Sequence, residues 1–231
     1  MGYDWQAILH TASIWVMPVL IAVTLHEAAH GWSAWRLGDD TAKLLGRVTF
    51  NPLRHIDPFG TVLLPAMLLF GSGGRVMFGF AKPVPVNFGR LRRPRRDMIL
   101  VAAAGPASNL MIAVISAALL HTIDLLPAET QQWVLLNLLN SLWINLLLCV
   151  FNMLPLPPLD GGRVAVGLLP PVLGRKLAGL ERFGMVIVLA AVFVLPWLGS
   201  QLGVDLNVFV WLVAAPAESL RQMILVAVGV I

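Results

Sequence analysis

Cysteine is all but missing. Cys149 stands alone inside an apolar run, which excludes a disulfide framework within the chain and leaves this thiol as a small buried hydrophobe. Charge is scarce as well: Asp, Glu, Lys and Arg make up 12% of the residues, about half of the roughly 25% usual in a soluble globule. There is no internal repeat and no low-complexity tract. GSGG at 71–74 has no Lys-Ser/Thr after it, so it reads as a turn and not as a phosphate loop. Aromatic residues do not interleave with the basic cluster LRRPRR at 91–96, and no nucleic-acid-binding signature accompanies it. The calculated pI near 10.0 therefore points away from nucleic acid. In so apolar a chain, basic residues mark cytoplasmic loops, with a lipid-headgroup anchor as a second reading of 91–96. No hydrophilic presequence is visible, and the polar residues inside the first apolar run speak against a cleavable signal peptide.

What fills the chain is hydrophobic: 58% of residues, with a mean hydropathy of +0.82. A spanning helix needs about 20 apolar residues. Runs of that kind cover roughly 8–37, 98–120, 133–154 and 183–198, and another starts near 204, where Glu218 and Arg221 blur its end and suggest an interfacial helix. A shorter run covers 59–70. The expected fold is an all-α polytopic membrane protein with about five to six transmembrane helices, forming a single membrane-embedded domain over 1–231. The first seven residues, 121–132 and 199–203 contain no Lys or Arg, whereas 36–54, 82–96 and 163–182 are basic. The positive-inside rule then places the N-terminus outside a cell membrane and the three basic segments in the cytoplasm. Segments 38–58 and 82–96 thus share a side, so 59–81 cannot cross once between them. A re-entrant or β-hairpin element is expected there, between the first and third apolar runs.

The strongest chemical signal is LHEAAHGW at 25–32. Helical side chains four residues apart share a face, so His26 and His30 can grip one metal ion. At 3.6 residues per turn, Glu27 lies about 100° from His26 and about 60° from His30. It can face a water on the metal without being a ligand, as in zinc peptidases. A central charge in an apolar helix costs roughly 2–3 kcal/mol on insertion scales, so such groups persist mainly where they pair, bind or react. A catalytic zinc takes a third protein ligand and keeps a fourth position open. Asp124, Glu129 and Asp205 belong to the outer side, Asp39, Asp40 and Asp57 lie in polar loops, and Asp97 abuts the arginine cluster, where pairing is expected. Asp160 stands out. Pro155, Pro157 and Pro158 deny the backbone helical hydrogen bonds before it, and Gly161 and Gly162 permit a tight turn after it. By parity, the first and fourth runs both end on the cytoplasmic side, which puts HEAAH and LDGG at one level.

HEAAH, GPASN at 105–109 and NMLPLPPLDGG at 152–162 occur in that order, and together they resemble the site-2 protease family of intramembrane zinc metalloproteases. The resemblance covers roughly 20–165 and includes GRVTFNPLRHIDPFGT and FGFAKPVPVN, segments typical of short bacterial members. It implies His26, His30 and Asp160 as ligands of one zinc ion, Glu27 as catalytic base, and Asn109 near the active site, where its amide is expected to donate to a developing oxyanion. Asn152 opens the third motif. The implied activity is endoproteolysis of transmembrane segments of other membrane proteins, with the bilayer as surroundings. Unwound substrate backbone needs partners, and RVTF at 47–50 or VPVNF at 84–88 is expected to supply an edge. No inserted PDZ domain, C-terminal CBS domain or helix preceding the HEAAH helix is expected. His10 and His121 read as interfacial, and His55 as the donor of a loop hydrogen bond. Two rival readings stay open: a metal transporter, which would string ligands along a path, and a catalytically silent relative acting as a binding protein, which would typically lose Glu27 or a ligand.

Overall fold

A computed structural model of the protein describes residues 5–63, 67 and 82–231. Among these residues the fold is helical, with no strand. Helix α1 is Trp5–Arg36, α2 the single turn Thr41–Leu44, α3 Pro94–Leu119 and α4 Ala128–Asn152. Two short helices follow, α5 (Asp160–Leu168) and α6 (Pro171–Ala178). The last two, α7 (Glu181–Leu202) and α8 (Val210–Ala227), each contain a wider π-helical stretch. Among the described residues, five helices are long and apolar enough to cross a membrane: Leu9–Arg36, Pro94–Leu125, Ala128–Asn152, Glu181–Leu202 and Val210–Ala227. This is the architecture of a multi-pass membrane protein. The re-entrant or β-hairpin element expected at 59–81 falls mostly outside the described residues, which there include only 67 and the end of the π-helical turn Pro58–Leu63.

Helices α1, α3 and α4 pack on one another, and small residues set how closely. Ala113 and Ala117 of α3, Leu142 and Leu146 of α4, and Ala217 and Leu225 of α8 form one buried cluster. Alanines let helix backbones approach where no water drives the association. Pro18, inside α1, has no N–H for the Ile14 carbonyl. Asn140 Nδ2 donates to that oxygen at 2.9 Å, so the helix passes the proline without an orphaned acceptor. Helix α3 starts on Pro94 in its first turn, where the missing N–H costs nothing. Asp97 accepts the Arg93 backbone N–H at 2.8 Å. The pairing expected between Asp97 and the arginine cluster is thus a backbone cap, not a guanidinium bridge.

Two expectations need correction. The final run does not become an interfacial helix: α8 continues unbroken and packs on α4. Glu218 and Arg221 face each other one turn apart at 2.7 and 2.8 Å, so the pair adds little net charge to the helix. Helices α5 and α6 have no counterpart among the apolar runs, because each is too short and too polar to register as one.

Candidate metal centre

The HEAAH end of α1 lies against the first half of α3. One stripe of α3, Val101, Gly105 and Asn109, spaced four residues apart, meets both imidazoles. His30 Nδ1 donates to the Val101 carbonyl at 2.7 Å, and His26 Nδ1 donates to Asn109 Oδ1 at 2.6 Å. Helix carbonyls point towards the C-terminus and side chains lean towards the N-terminus. Groups eight residues apart on α3 therefore reach rings four residues apart on α1. Between them Gly105 leaves the space the rings occupy: a Cβ there would stand 2.4 Å from His30 Nε2 and 2.6 Å from His26 Cε1.

Asp160 enters from the turn after α4, as the first residue of α5. Segment 153–159 carries the three prolines and folds back over the start of α5, with a cis peptide at Pro157–Pro158. The adjacent glycines have a reason other than a tight turn. Neither has positive φ, and both are helical. A Cβ at 161 would lie 2.2 Å from Met153 O, and one at 162 would lie 2.2 Å from Pro157 N. Gly161 and Gly162 thus let α5 lie flush beneath the proline turn, which brings the carboxylate to the histidines.

His26 Nε2, His30 Nε2 and Asp160 Oδ2 form a small triangle. The edges are 3.0 Å between the nitrogens and 3.2 and 3.3 Å from each nitrogen to the oxygen. Both Nδ1 atoms face oxygen acceptors and so carry the ring protons, leaving each Nε2 as a lone pair. Two lone pairs and a carboxylate oxygen then converge with no donor between them, an arrangement that a cation resolves. The size fits zinc. Ligands at about 2.0–2.1 Å in tetrahedral array stand about 3.3 Å apart. Among the described residues no other trio of His, Cys, Asp or Glu offers such a group.

Glu27 stays outside the triangle. Its Oε2 accepts the Val84 N–H at 2.7 Å, so the non-helical segment 82–87 lies beside it. That segment is anchored at several points: Asn87 N donates to Asp39 at 2.6 Å, Arg47 donates to Lys82 O at 2.7 Å, and Lys82 N donates to His55 O at 3.0 Å. His55 itself is buried and donates from Nε2 to Thr49 O at 3.0 Å, the loop bond expected of it. His121 bonds Val228 O, far along the chain from the triangle.

Asn109 has a different task from the one expected. Its side chain is fully buried, and its Nδ2 donates to Ala22 O at 3.3 Å and to Asn145 Oδ1 at 2.7 Å. Both amide hydrogens are engaged, so neither is free for an oxyanion. The residue orients His26 instead. Asn145, Gly105 and the Val101 carbonyl were not among the expected site residues. Two of them leave a trace in the sequence: an amide in the charge-free run 133–154, and a glycine followed by proline inside an apolar helix.

The profile of Peptidase family M50 matches residues 14–134 and 119–198. YwhC of Bacillus subtilis (strain 168), by name a candidate zinc metalloprotease, is 42% identical over 192 residues, covering 80% of this chain and 81% of that one. Two mycobacterial proteins called Rip2, named in the same way, are each 34% identical. The one from Mycolicibacterium smegmatis aligns over 73% of this chain and 62% of its own length. The one from Mycobacterium tuberculosis (strain H37Rv) aligns over 82% and 71%. No solved structure matches. The chain belongs to peptidase family M50, the site-2 protease family, and is a zinc metalloprotease built on membrane-spanning helices.

Proposed function

We propose that this protease cuts peptide bonds inside transmembrane segments of other membrane proteins, with His26, His30 and Asp160 holding zinc and Glu27 moving the protons. The observation that carries the reading is depth. His26 lies ten residues before the end of a spanning helix, about 15 Å at 1.5 Å per residue. With a hydrocarbon core about 30 Å thick crossed by this helix, that distance supports a site below the membrane surface. Zinc held by these residues would supply Lewis acidity to a water and to the scissile carbonyl. Glu27 takes a proton from the water as its oxygen bonds the carbonyl carbon, then delivers it to the amine as the C–N bond breaks. The Val84 N–H holds one carboxylate oxygen, leaving the other for this transfer. Asn109 and the Val101 carbonyl keep both imidazoles turned to the centre. The non-helical run 82–87 beside Glu27 supports pairing with an unwound substrate backbone. In this reading the N-terminus is outside a cell membrane, the site faces the cytoplasmic side, and the whole chain forms one peptidase domain.

The test is reconstitution of the purified full chain in liposomes with single-span membrane proteins, and mapping of cleavage positions by mass spectrometry. Cuts within the apolar segment are expected, absent with Glu27→Gln while zinc content is unchanged. Cuts confined to hydrophilic flanks, or undiminished in the variant, would overturn the proposal.

A further inference from the structure

The arginines at the foot of α3 take no part in the metal centre, and they stand in two different situations. Arg95 is engaged: its Nε donates to Gly167 O at 2.8 Å and its terminal nitrogen reaches Leu169 O, which fastens the first turn of α3 to the end of α5. Arg90 pairs with Asp40 at 2.9 Å. Arg92, Arg93 and Arg96 are exposed, and among the described residues no carboxylate forms an ion pair with any of them. The acid closest in sequence, Asp97, is buried and taken up by the Arg93 backbone. Arg93 and Arg96 border a hollow of about 470 Å³, completed by Pro94, Arg95, Ile99 and Gly167.

The hollow has two chemistries. Its rim offers unpaired guanidinium forks, whose planar donors match phosphate oxygens. Its remaining walls are apolar at Pro94 and Ile99. It opens at the first turn of the span Pro94–Leu125, so a bilayer crossed by that helix would bring its headgroups towards the hollow. A free phosphate would satisfy the rim and leave Ile99 against water, whereas a lipid places its glycerol and first methylenes there. A choline headgroup would set a cation among cations, so net negative charge is selected.

We propose that this hollow binds the phosphate of an anionic phospholipid. The lipid would sit at the joint between α3, which carries Val101, Gly105 and Asn109, and α5, which begins with Asp160. Bound there, its phosphate bridges the two rim arginines and braces that joint.

The test incubates the detergent-solubilised full chain with equal amounts of phosphatidylglycerol and phosphatidylcholine, repurifies it and quantifies the retained lipid. Retention of phosphatidylglycerol over phosphatidylcholine is expected. The pair Arg93→Gln and Arg96→Gln should lose about tenfold of that retention, in keeping with the attraction of basic residues to anionic lipid. Arg175→Gln with Lys176→Gln, an exposed basic pair outside the hollow, should not. Millimolar inorganic phosphate should leave retention unchanged. Equal retention of the two lipids, equal loss in the control pair, or displacement by inorganic phosphate would each overturn the proposal, the last by showing a free-anion site. Arg96→Gln alone, one exposed change, carries the same comparison if the double variant fails to accumulate.

Discussion

Replacing Gly105 with alanine adds one methyl group, and the structure fixes where it must go. The new Cβ would sit 2.4 Å from His30 Nε2 and 2.6 Å from His26 Cε1, short of ordinary van der Waals contact by about 1 Å. Neither ring can swing aside without breaking a bond that orients it, His30 to Val101 O or His26 to Asn109 Oδ1. Shifting the α3 backbone would disturb its packing on α4. Metal–ligand distances tolerate about 0.2 Å, so a ring displaced by even half of that overlap leaves the ligand geometry. A misplacement of about 1 Å can cost a factor of 10² in rate. Helix propensity works the other way, favouring alanine over glycine by about 1 kcal/mol. The helical fold should therefore persist while the centre fails. Gly105→Ala should retain wild-type helical content by circular dichroism, bind zinc at least about tenfold more weakly, and cleave about a hundredfold more slowly. Zinc stoichiometry by plasma mass spectrometry and competition with a chelating dye would measure it. Wild-type zinc affinity together with wild-type cleavage would refute the packing argument.

Asn145→Leu removes the acceptor that sets the Asn109 amide, freeing Asn109 to rotate away from His26; zinc affinity should fall about 10–100-fold, the range for lost outer-shell partners, as read by the same competition assay. Asp39 supplies a pH dependence of stability. Burial pushes its carboxyl up, but the Thr41 hydroxyl, the Asn87 and Thr41 N–H groups and nearby Arg90 together hold it below the ordinary carboxylate range. A carboxyl with a lowered folded pKa adds stability that is full above its unfolded value of about 3.9 and is lost as pH falls through the folded value. Asp39→Asn should therefore melt lower than wild type at pH 6, with the gap closing as the pH is lowered past 4, measured by thermal unfolding in detergent.

The His-His-Asp cluster was legible in the sequence wherever spacing alone decides it. His26 and His30 declare themselves through an i, i+4 repeat just after the charge-free stretch 14–25, and Asp160 through prolines that interrupt the end of a span. What was illegible depends on contacts between distant segments. The amide of Asn109 reads as a free donor until Asn145, on another helix, is seen to occupy it. Gly161 and Gly162 look like turn residues because a sequence does not show that a proline turn will fold over them. Helix α5 hides for a related reason: two glycines in its first turn lower its local propensity, and its packing under segment 153–159 compensates. Glu218 and Arg221 read as the end of a span because their mutual neutralisation is a matter of geometry.

The hydrogen bond between Glu27 and Val84 has a consequence for how the neighbouring segment can dock. Val84 is flanked by Pro83 and Pro85, and proline has no N–H to give. Along 83–85, then, a single backbone donor is available, and it is the one the carboxylate holds. A slide of the segment by one residue in either direction would present Glu27 with a proline nitrogen and leave a half-buried acceptor unmet. The alternation of proline and valine acts as a ratchet tooth: it admits one register of this strand-like segment on α1 and rejects both adjacent ones. The position of Glu27 is thereby fixed against sliding by two residues that have no N–H to offer it.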